Sequence, residues 1–245
     1  MTSSPRLPAP RRARPTRSAS GLHGLGGAAA LAVGLGSSTF GAAGCEELPR
    51  TYSTRSADAT ILVRDDFGRA ELGNAWAPSG AGATIVDGAL HVENLRNHPL
   101  WLRTPLPDNV RIEFDAWALT EEGDVKVELA GDGVSFATSA NYVATGYVVI
   151  FGGWNNSLDA IVRQREHGRD RATARSATVE PGRRYHWVIS RTLTERGAEL
   201  RWEVDGREIL TYDDPAPLIG EGHRHFAFGG WEAAVRFDNL VIEAL

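Results

Sequence analysis

From Thr60 onwards, short segments with a two-residue apolar period alternate with turn dipeptides. The clearest segment is Val110–Ala118, in which one face carries apolar side chains and the other carries polar ones. Asp87-Gly88 and Asp205-Gly206 are dipeptides favoured in two-residue hairpins. Helical periodicity is absent beyond a turn or two, so the pattern predicts an all-β domain of antiparallel strands.

Residues 60–245 predict one domain with roughly eleven to thirteen strands at the spacing expected of a sandwich or barrel. The fold class predicted is all-β, an antiparallel two-sheet β-sandwich of jelly-roll type. Tyr147–Phe151 is apolar on both faces, which indicates a central strand covered on two sides. About 185 residues are enough to bury a sizeable core, to which most of the seven tryptophans should belong.

The sequence Phe-Gly-Gly-Trp occurs twice, at residues 151–154 and 228–231. Both copies end an apolar segment at a glycine pair, which predicts two strands that turn similar corners. We interpret the second copy as scaffold, with a bulge near Asp238-Asn239 that returns Leu240 and Ile242 to the core. The first copy runs into a polar hairpin and is therefore the better candidate for the rim of a binding surface.

The N-terminal segment predicts export. Residues 1–44 combine a basic region, a mildly apolar run and small residues, as in a secretory signal. Ala42-Ala43-Gly44-Cys45 resembles the lipobox of bacterial lipoproteins, which implies that Cys45 becomes a lipidated N-terminus; the alternative is a plain signal peptide with an incidental cysteine. Residues 45–59 form a polar tether. The predicted location is the bacterial cell envelope, periplasmic or cell-surface, through a lipid anchor in the membrane.

Charge and cysteine content exclude several classes of protein. Five arginines precede Cys45 without any acidic residue, and removing them changes the formal net charge from −5 to −10. An acidic domain without basic clusters argues against nucleic acid as a partner. Cys45 is the only cysteine, so the domain has no disulfide and depends on its core.

The order of several short motifs resembles a known superfamily. These motifs are Asp66-Phe67, Trp76, Val86–Leu90, Arg111–Asp115 and Val235–Leu240. Together they resemble the concanavalin-A-like lectin/glucanase jelly roll, closest to the branch of laminin-G-like and 3-keto-disaccharide hydrolase domains. The resemblance implies two stacked antiparallel sheets with the first and last strands side by side. It also implies that carbohydrate, where bound, lies on the concave sheet or its rim loops.

The polar face of segment 110–118 is the first candidate site. It presents Arg111, Glu113, Asp115 and Trp117, an aromatic surface beside hydrogen-bonding groups. Glu113 and Asp115 match the first half of the Glu-x-Asp-x-(x)-Glu motif of laminarinase-type glycosidases, but the second glutamate is missing. Three readings stay open: a solvated strand face, a sugar-binding surface, and a catalytic carboxylate pair.

The second candidate site follows the first Phe-Gly-Gly-Trp copy. It combines an aromatic ring, side-chain amides, guanidinium groups and two further titratable groups, all suited to sugar hydroxyls: Trp154, Asn155, Asn156, Arg163, Arg165, Glu166 and His167. Arg163 and Arg165 share a strand face and could attract a sugar carboxylate. The alternative is a solvated hairpin.

The sequence contains no cofactor motif, but it offers oxygen ligands for a structural calcium ion. Jelly rolls of the kind this chain resembles often carry one near the terminal strands, where Asp66 and Asp238, with Asp65, supply oxygen ligands. The same residues equally suit turn caps and bulges.

The sequence therefore predicts an exported carbohydrate-binding β-sandwich that recognises a polysaccharide or glycan. One alternative is a glycoside hydrolase using Glu113 or Asp115 with an acid from the 166–170 loop. The other is a non-catalytic structural or adhesion module of the cell envelope.

Overall fold

The computed structural model describes residues 59–138, 143–176 and 178–245. The predicted signal peptide, the tether and Cys45 lie outside these residues, apart from the tether's last residue. Within the described part of the chain, no helix is long and apolar enough to span a membrane.

The described residues form fifteen strands, one short helix and one 3-10 turn. In chain order the strands are β1 (Thr60–Asp65), β2 (Trp76–Pro78), β3 (Ala83–Val86), β4 (Ala89–Glu93), β5 (Leu100–Leu102), β6 (Val110–Ala118), β7 (Val125–Gly131), β8 (Tyr147–Gly152), β9 (Leu158–Arg163), β10 (Arg171–Ala174), β11 (Tyr185–Thr194), β12 (Gly197–Val204), β13 (Arg207–Asp214), β14 (His225–Gly229) and β15 (Ala234–Ala244). Helix α1 spans Gly153–Asn156, and the 3-10 turn spans Glu221–His223.

The strands form two antiparallel sheets. The first, called sheet A, has the order β13-β12-β11-β6-β15-β4-β3, with β1 also paired to β15. The second, called sheet B, has the order β10-β9-β8-β7-β14-β5-β2. The predicted antiparallel two-sheet sandwich is confirmed, and the first and last strands are neighbours, as the resemblance implied.

The predicted strand number was slightly too low. The two strands with the weakest sequence pattern are β2 at Trp76–Pro78 and β10 at Arg171–Ala174. Both strands have three or four residues. A segment of that length is too short to show a two-residue period, so only its pairing with a neighbour identifies it.

The turns predicted from sequence have the expected geometry. Asp87 and Gly88 have φ values of 52° and 73°, and Asp205 and Gly206 have 51° and 72°. Two consecutive positive φ values are characteristic of the type I′ turn, whose twist matches that of the paired strands. The hairpins β3–β4 and β12–β13 are thus set by local sequence.

The predicted bulge in the last strand is also confirmed. The register of β15 against β6 shifts between Asp238 and Val241, and Asn239 has a φ of 54°. The extra residue changes which face the following side chains point to. Leu240 and Ile242 are consequently fully buried in the core.

Aromatic residues fill the space between the sheets. Phe228 is the centre of one group: its ring lies 4.2 Å from Phe237 and 5.4 Å from Trp76. A second group pairs Trp187 and Trp202 with ring centroids 4.7 Å apart. All five side chains are at most 2% exposed, so they contribute to stability by burial and by ring packing.

A second, smaller apolar cluster covers the outer face of sheet B. It consists of Ala144, Val148, Ile150, Ala160 and Val162. The cluster confirms that strand β8 is covered on both faces. It also supplies an apolar floor next to the first Phe-Gly-Gly-Trp corner.

We expect Phe228→Ala to destabilise the domain by about 3–5 kcal/mol, because it removes the central ring of the aromatic core and leaves a cavity. The measurement is the free energy of unfolding from urea titration. Phe136→Ala is the matched control, since Phe136 is 42% exposed. Equal losses of stability in the two variants would contradict this description of the core.

Candidate functional site

The two Phe-Gly-Gly-Trp corners meet at one edge of sheet B. Strands β8 and β14 both pair antiparallel with β7, one on each side. They therefore run parallel to each other, and their C-terminal ends lie at the same end of the sheet. Lys126 of β7 pairs with Ile150 of β8 on one side and with Gly229 of β14 on the other. Two strand spacings separate the corners by about 10 Å.

Asp124, directly before β7, connects the two corners. Its backbone N–H donates to the carbonyl of Gly152, 3.0 Å away in the first corner. Its carboxylate accepts a hydrogen bond of 2.9 Å from the backbone N–H of Trp231 in the second corner. Asp124 has a φ of 50°, in the left-handed region, and this conformation lets its backbone and side chain reach opposite corners.

A groove of about 390 Å³ opens between the corners. Its lining combines two tryptophans with charged and amide side chains: Asn97, Glu122, Asp124, Lys126, Trp154, Asn155, Glu166, His167, Trp231, Glu232 and Ala233. Trp154 comes from the first corner and Trp231 from the second. A concave site with aromatic walls and a few polar groups has the general composition of a small-molecule or oligosaccharide site.

Trp154 is held in place by a left-handed turn of backbone. Trp154, Asn155 and Asn156 have φ values of 50°, 60° and 57°. The Asn156 side chain braces this turn: its amide donates to the carbonyls of Glu121 (2.9 Å) and Val179 (2.8 Å) and accepts from Val179 N–H. A non-glycine residue in this region costs about 1–2 kcal/mol, and such local strain is concentrated at functional sites.

Each groove tryptophan also makes a cation–π contact with an arginine. The Arg171 guanidinium lies 5.2 Å from the Trp154 ring, and the Arg96 guanidinium lies 5.9 Å from the Trp231 ring. The indole N–H of Trp154 points to Nδ1 of His167 at 3.4 Å. These contacts restrict the rotation of both rings before any ligand binds, which lowers the entropic cost of stacking.

Lys126 lies on the floor of the groove and is the only lysine in the chain. Its ammonium group is 3.2 Å from both carboxylate oxygens of Glu166 and 3.5 Å from Asp124. Burial alone would lower the pKa of Lys126, but the charges of Asp124 and Glu166 outweigh burial and raise the pKa above its ordinary value. Burial raises the pKa of Asp124, against the opposing effect of Lys126. Lys126 is therefore a charged hydrogen-bond donor at neutral pH.

A narrow pocket of about 20 Å³ adjoins the groove, since Asn97, Lys126 and Glu166 line both. This narrow part is lined by Glu128, Ala144 and Val148, among others, and has room for about one water molecule. The connection between β7 and β8 is bonded to both walls, from Ala137 N–H to Asn97 O and from Ala144 N–H to Gln164 O. A ligand as large as a sugar ring is thus restricted to the open part.

Glu128 is a buried carboxyl group at the narrow end. Its Oε1 accepts hydrogen bonds from the N–H groups of Gly146 (2.7 Å) and Thr145 (3.0 Å) and from the Thr145 hydroxyl (3.2 Å). Burial raises the pKa of Glu128 to about 7, because desolvation outweighs these hydrogen bonds. Glu128 therefore changes charge near neutral pH and joins strand β7 to the backbone that precedes β8.

The structure brings together only part of the second predicted site. Trp154, Asn155, Glu166 and His167 line the groove. Asn156 acts from behind, through its backbone contacts. The remaining two residues are not among the lining residues: Arg163 donates to Asp214 at 3.0 Å, and Arg165 is exposed.

The first predicted site lies on the outer face of sheet A. Its apolar neighbours Ile112 and Phe114 point into the core, so Glu113, Asp115 and Trp117 point away from it. The guanidinium carbon of Arg184 lies 4.8 Å from the centroid of the Trp117 ring, in a cation–π contact. Arg111 donates to Glu113, so these side chains already have protein partners.

His186 lies between the two carboxylates of the first predicted site. Its Nδ1 is 2.9 Å from Asp115 and its Nε2 is 3.3 Å from Glu113. Hydrogen bonds to Asp115 and Glu113 raise the pKa of His186 to about 9. The hydrogen bond from His186, opposed by burial and assisted by Arg111, lowers the pKa of Glu113 to about 2. The carboxylates are therefore ionised and neutralised by the protein itself at neutral pH.

The structure changes the hydrolase alternative predicted from sequence. Glu113 and Asp115 lie on the outer face of sheet A, whereas Glu166 contacts Lys126 on the outer face of sheet B. The hydrophobic core separates these faces. A pair made of Glu113 or Asp115 with an acid of the 166–170 loop therefore cannot act on one glycosidic bond. The sequence did not reveal this, because alternation along a strand does not show which outer face of the sandwich a side chain reaches.

The proposed calcium ligands have other partners. Asp66 accepts a hydrogen bond from Gly68 N–H at 3.0 Å, and Asp238 pairs with Arg184 at 2.5 Å. Asp65 binds Arg69 and the Trp76 indole. Among the described residues, no group of three His, Cys, Asp or Glu side chains could hold a metal ion.

Sequence reasoning missed three central groove residues: Asp124, Lys126 and Trp231. Two signals could have found them. Lys126 is the only lysine among 26 basic Lys and Arg residues, and Trp231 completes the second copy of a repeated corner. The second corner is both scaffold and site, since Phe226 and Phe228 are fully buried while Trp231 is 39% exposed.

No family model matches the chain, and no curated protein sequence matches it. Solved structures do resemble it. A carbohydrate-binding module, CBM66, from Bacillus subtilis matches with a TM-score of 0.51 at 12% identity, over 71% of this chain and 98% of that one. A Bacillus subtilis protein of unknown function with a galectin-like fold matches with 0.55 at 14% identity, over 75% and 96%. Domain 4 of AbnA, an arabinanase of Geobacillus stearothermophilus in complex with arabinotriose, matches with 0.51 at 13% identity, over 76% and 93%. What they share with this chain is the fold.

We expect the stability of the domain to depend on the protonation of Glu128. The folded state binds this proton up to a pH of about 7, whereas the unfolded state loses it near pH 4.5. The stabilisation from protonated Glu128 is present below pH 4.5 and is lost as pH rises to about 7, by up to about 3 kcal/mol. Urea titrations at several pH values should show a smaller decline in Glu128→Gln than in the unmodified protein.

The matched control is Glu199→Gln, an exposed position on sheet A. It should reproduce the pH dependence of the unmodified protein. His186 also contributes a pH dependence, and comparison between variants cancels it. Parallel profiles for the unmodified protein and Glu128→Gln would contradict the assignment.

Proposed function

We propose that the groove between the two Phe-Gly-Gly-Trp corners binds carbohydrate. The observation that carries this proposal is the pair of tryptophans, Trp154 and Trp231, contributed by opposite sides of one groove above a charged hydrogen-bonding floor. The C–H face of a pyranose or furanose ring is apolar and stacks on an indole, while its hydroxyls need donors and acceptors. The groove offers both.

The floor and walls supply the polar contacts. Lys126 donates and the carboxylates of Asp124 and Glu166 accept, all within one cluster. Asn97 and Asn155 add amide groups on the two walls. Because a hydroxyl both donates and accepts, adjacent ammonium and carboxylate groups can bind a pair of neighbouring hydroxyls, with hydrogen bonds stronger than those between neutral groups.

The structural neighbours support this proposal through their printed descriptions. One is a carbohydrate-binding module and another is a domain in complex with arabinotriose. We further propose, from the sequence motifs, that the chain is of the concanavalin-A-like lectin/glucanase type and similar to laminin-G-like and 3-keto-disaccharide hydrolase domains.

We also propose that the domain is exported and anchored to the cell envelope by a lipid on Cys45. The support is the sequence of residues 1–44 and the Ala42-Ala43-Gly44-Cys45 motif. A tether of residues 45–59 would hold the domain close to a membrane surface. The anchor would keep a glycan-binding groove at the envelope.

Replacing either groove tryptophan should weaken glycan binding. For Trp154→Ala and Trp231→Ala we expect a loss of about tenfold or more, because each removes one stacking surface worth roughly 1–2 kcal/mol. Glycan-array screening of the unmodified protein identifies a bound glycan, and titration calorimetry with that glycan measures the loss. Trp117→Ala is the matched control, since Trp117 lies on the opposite sheet.

The single lysine allows a direct test of location. Labelling with ¹⁵N-lysine gives one backbone amide signal, that of Lys126 on the groove floor. The signal should shift as the glycan is added. Binding that is lost in Trp117→Ala, without a change in the Lys126 signal, would place the site on sheet A instead. Retention of no glycan on the array would favour the structural or adhesion alternative.

Cys45→Ser should release the protein from the membrane. A thioether-linked lipid needs the cysteine sulfur, so the variant should appear in the soluble fraction after export. The measurement is membrane fractionation together with the mass of the N-terminal peptide. A Cys45→Ser protein that stays in the membrane fraction would contradict lipid anchoring.

A further inference from the structure

The lining of the groove is acidic. Its described residues include four carboxylates, Glu122, Asp124, Glu166 and Glu232, and one ammonium group, that of Lys126. Lys126 is shared between Asp124 and Glu166. Two carboxyl groups share the one ammonium group, so the floor does not provide a free cation for an anionic ligand.

The nearby arginines do not make the groove lining positively charged. Arg96 lies over Trp231 and pairs with Glu232 at 2.9 Å, which neutralises one carboxylate at the mouth. Arg171 lies over Trp154 and donates to the backbone carbonyl of Glu166. Neither arginine is among the described lining residues of the groove. Arg163 donates to Asp214 and is also absent from the lining.

Glu122 and Glu232 lie at the open mouth of the groove. Both are exposed, and Glu232 directly follows Trp231 in the second corner. A ligand that stacks on Trp231 therefore brings its substituents close to a carboxylate. An amino group at the mouth would share the Glu232 carboxylate with Arg96 and meet a second carboxylate at Glu122, whereas a carboxylate or sulfate would meet like charges there.

We propose that the groove selects glycans by charge. Sugars that carry a free amino group bind most tightly, neutral and N-acetylated sugars bind less tightly, and uronates and sulfated sugars bind most weakly. This inference rests on the proposed glycan-binding function of the same groove. It replaces the sequence-based expectation that Arg163 and Arg165 attract a sugar carboxylate.

The test compares oligosaccharides that share a backbone and differ in charge. Chitosan and chitin oligosaccharides of equal length differ in the free amine, and pectin fragments with free or methyl-esterified carboxylates differ in the anion. Calorimetry should show tighter binding of the amine form and of the esterified form, by about two- to fivefold, the effect of an exposed ion pair. The differences should shrink when NaCl is raised from about 20 mM to about 200 mM, because salt screens exposed charges.

The double variant Glu122→Gln with Glu232→Gln should bring the affinities for the charged and the neutral forms closer together. Glu195→Gln with Glu199→Gln is the matched control: it removes the same charge from exposed positions at the β11–β12 hairpin. It should keep both preferences.

The outcomes separate this inference from the proposed function. Equal binding of the charged and neutral forms, or tighter binding of the free pectin fragments, overturns the charge selection while glycan binding stands. If the two charge preferences fall as much in the control variant as in the Glu122→Gln, Glu232→Gln variant, they arise from the net charge of the protein. This outcome also overturns the inference. Retention of none of these oligosaccharides and of no arrayed glycan overturns both proposals.

Discussion

Strand β7 pairs antiparallel with β8 on one side and β14 on the other, and the candidate site depends on this double pairing. The pairing makes β8 and β14 parallel, so the two Phe-Gly-Gly-Trp corners end at one edge of sheet B. The register also decides the chemistry, since a shift of one residue would turn Lys126 and Glu128 into the core and Val127 out of it. The apolar alternation of β7 opposes such a shift, because Val125, Val127 and Leu129 are all buried between the sheets.

The groove contains features that would destabilise a protein by themselves. Trp154 and the two residues after it have left-handed backbone, and Lys126 and Glu128 are buried ionisable groups. Each has specific compensation: Asn156 bonds the backbone at Glu121 and Val179, two carboxylates surround Lys126, and three donors face Glu128. The aromatic core between the sheets provides the surplus stability that these arrangements require.

Sequence reasoning located four of the eleven residues that line the groove. The sequence points to Trp154 and Glu166 because an aromatic ring, amides and guanidinium groups after a Gly-Gly corner suit the recognition of sugar hydroxyls. Trp231 was assigned to the scaffold because the rest of its segment is apolar and buried. The Glu113 and Asp115 pair was plausible by spacing, but its charges are balanced within the protein by Arg111 and His186.

The sequence by itself determined the strands, the hairpin turns and the bulge in β15, because these depend on side-chain alternation and on residues that tolerate positive φ. It also determined that the chain has a single lysine and two copies of the sequence Phe-Gly-Gly-Trp. Only the tertiary structure decided that both corners face the same groove and that the lysine lies between them. Strand order and the choice of outer face come from pairings between segments far apart in the chain, such as β7 with β14, and a local pattern does not record them.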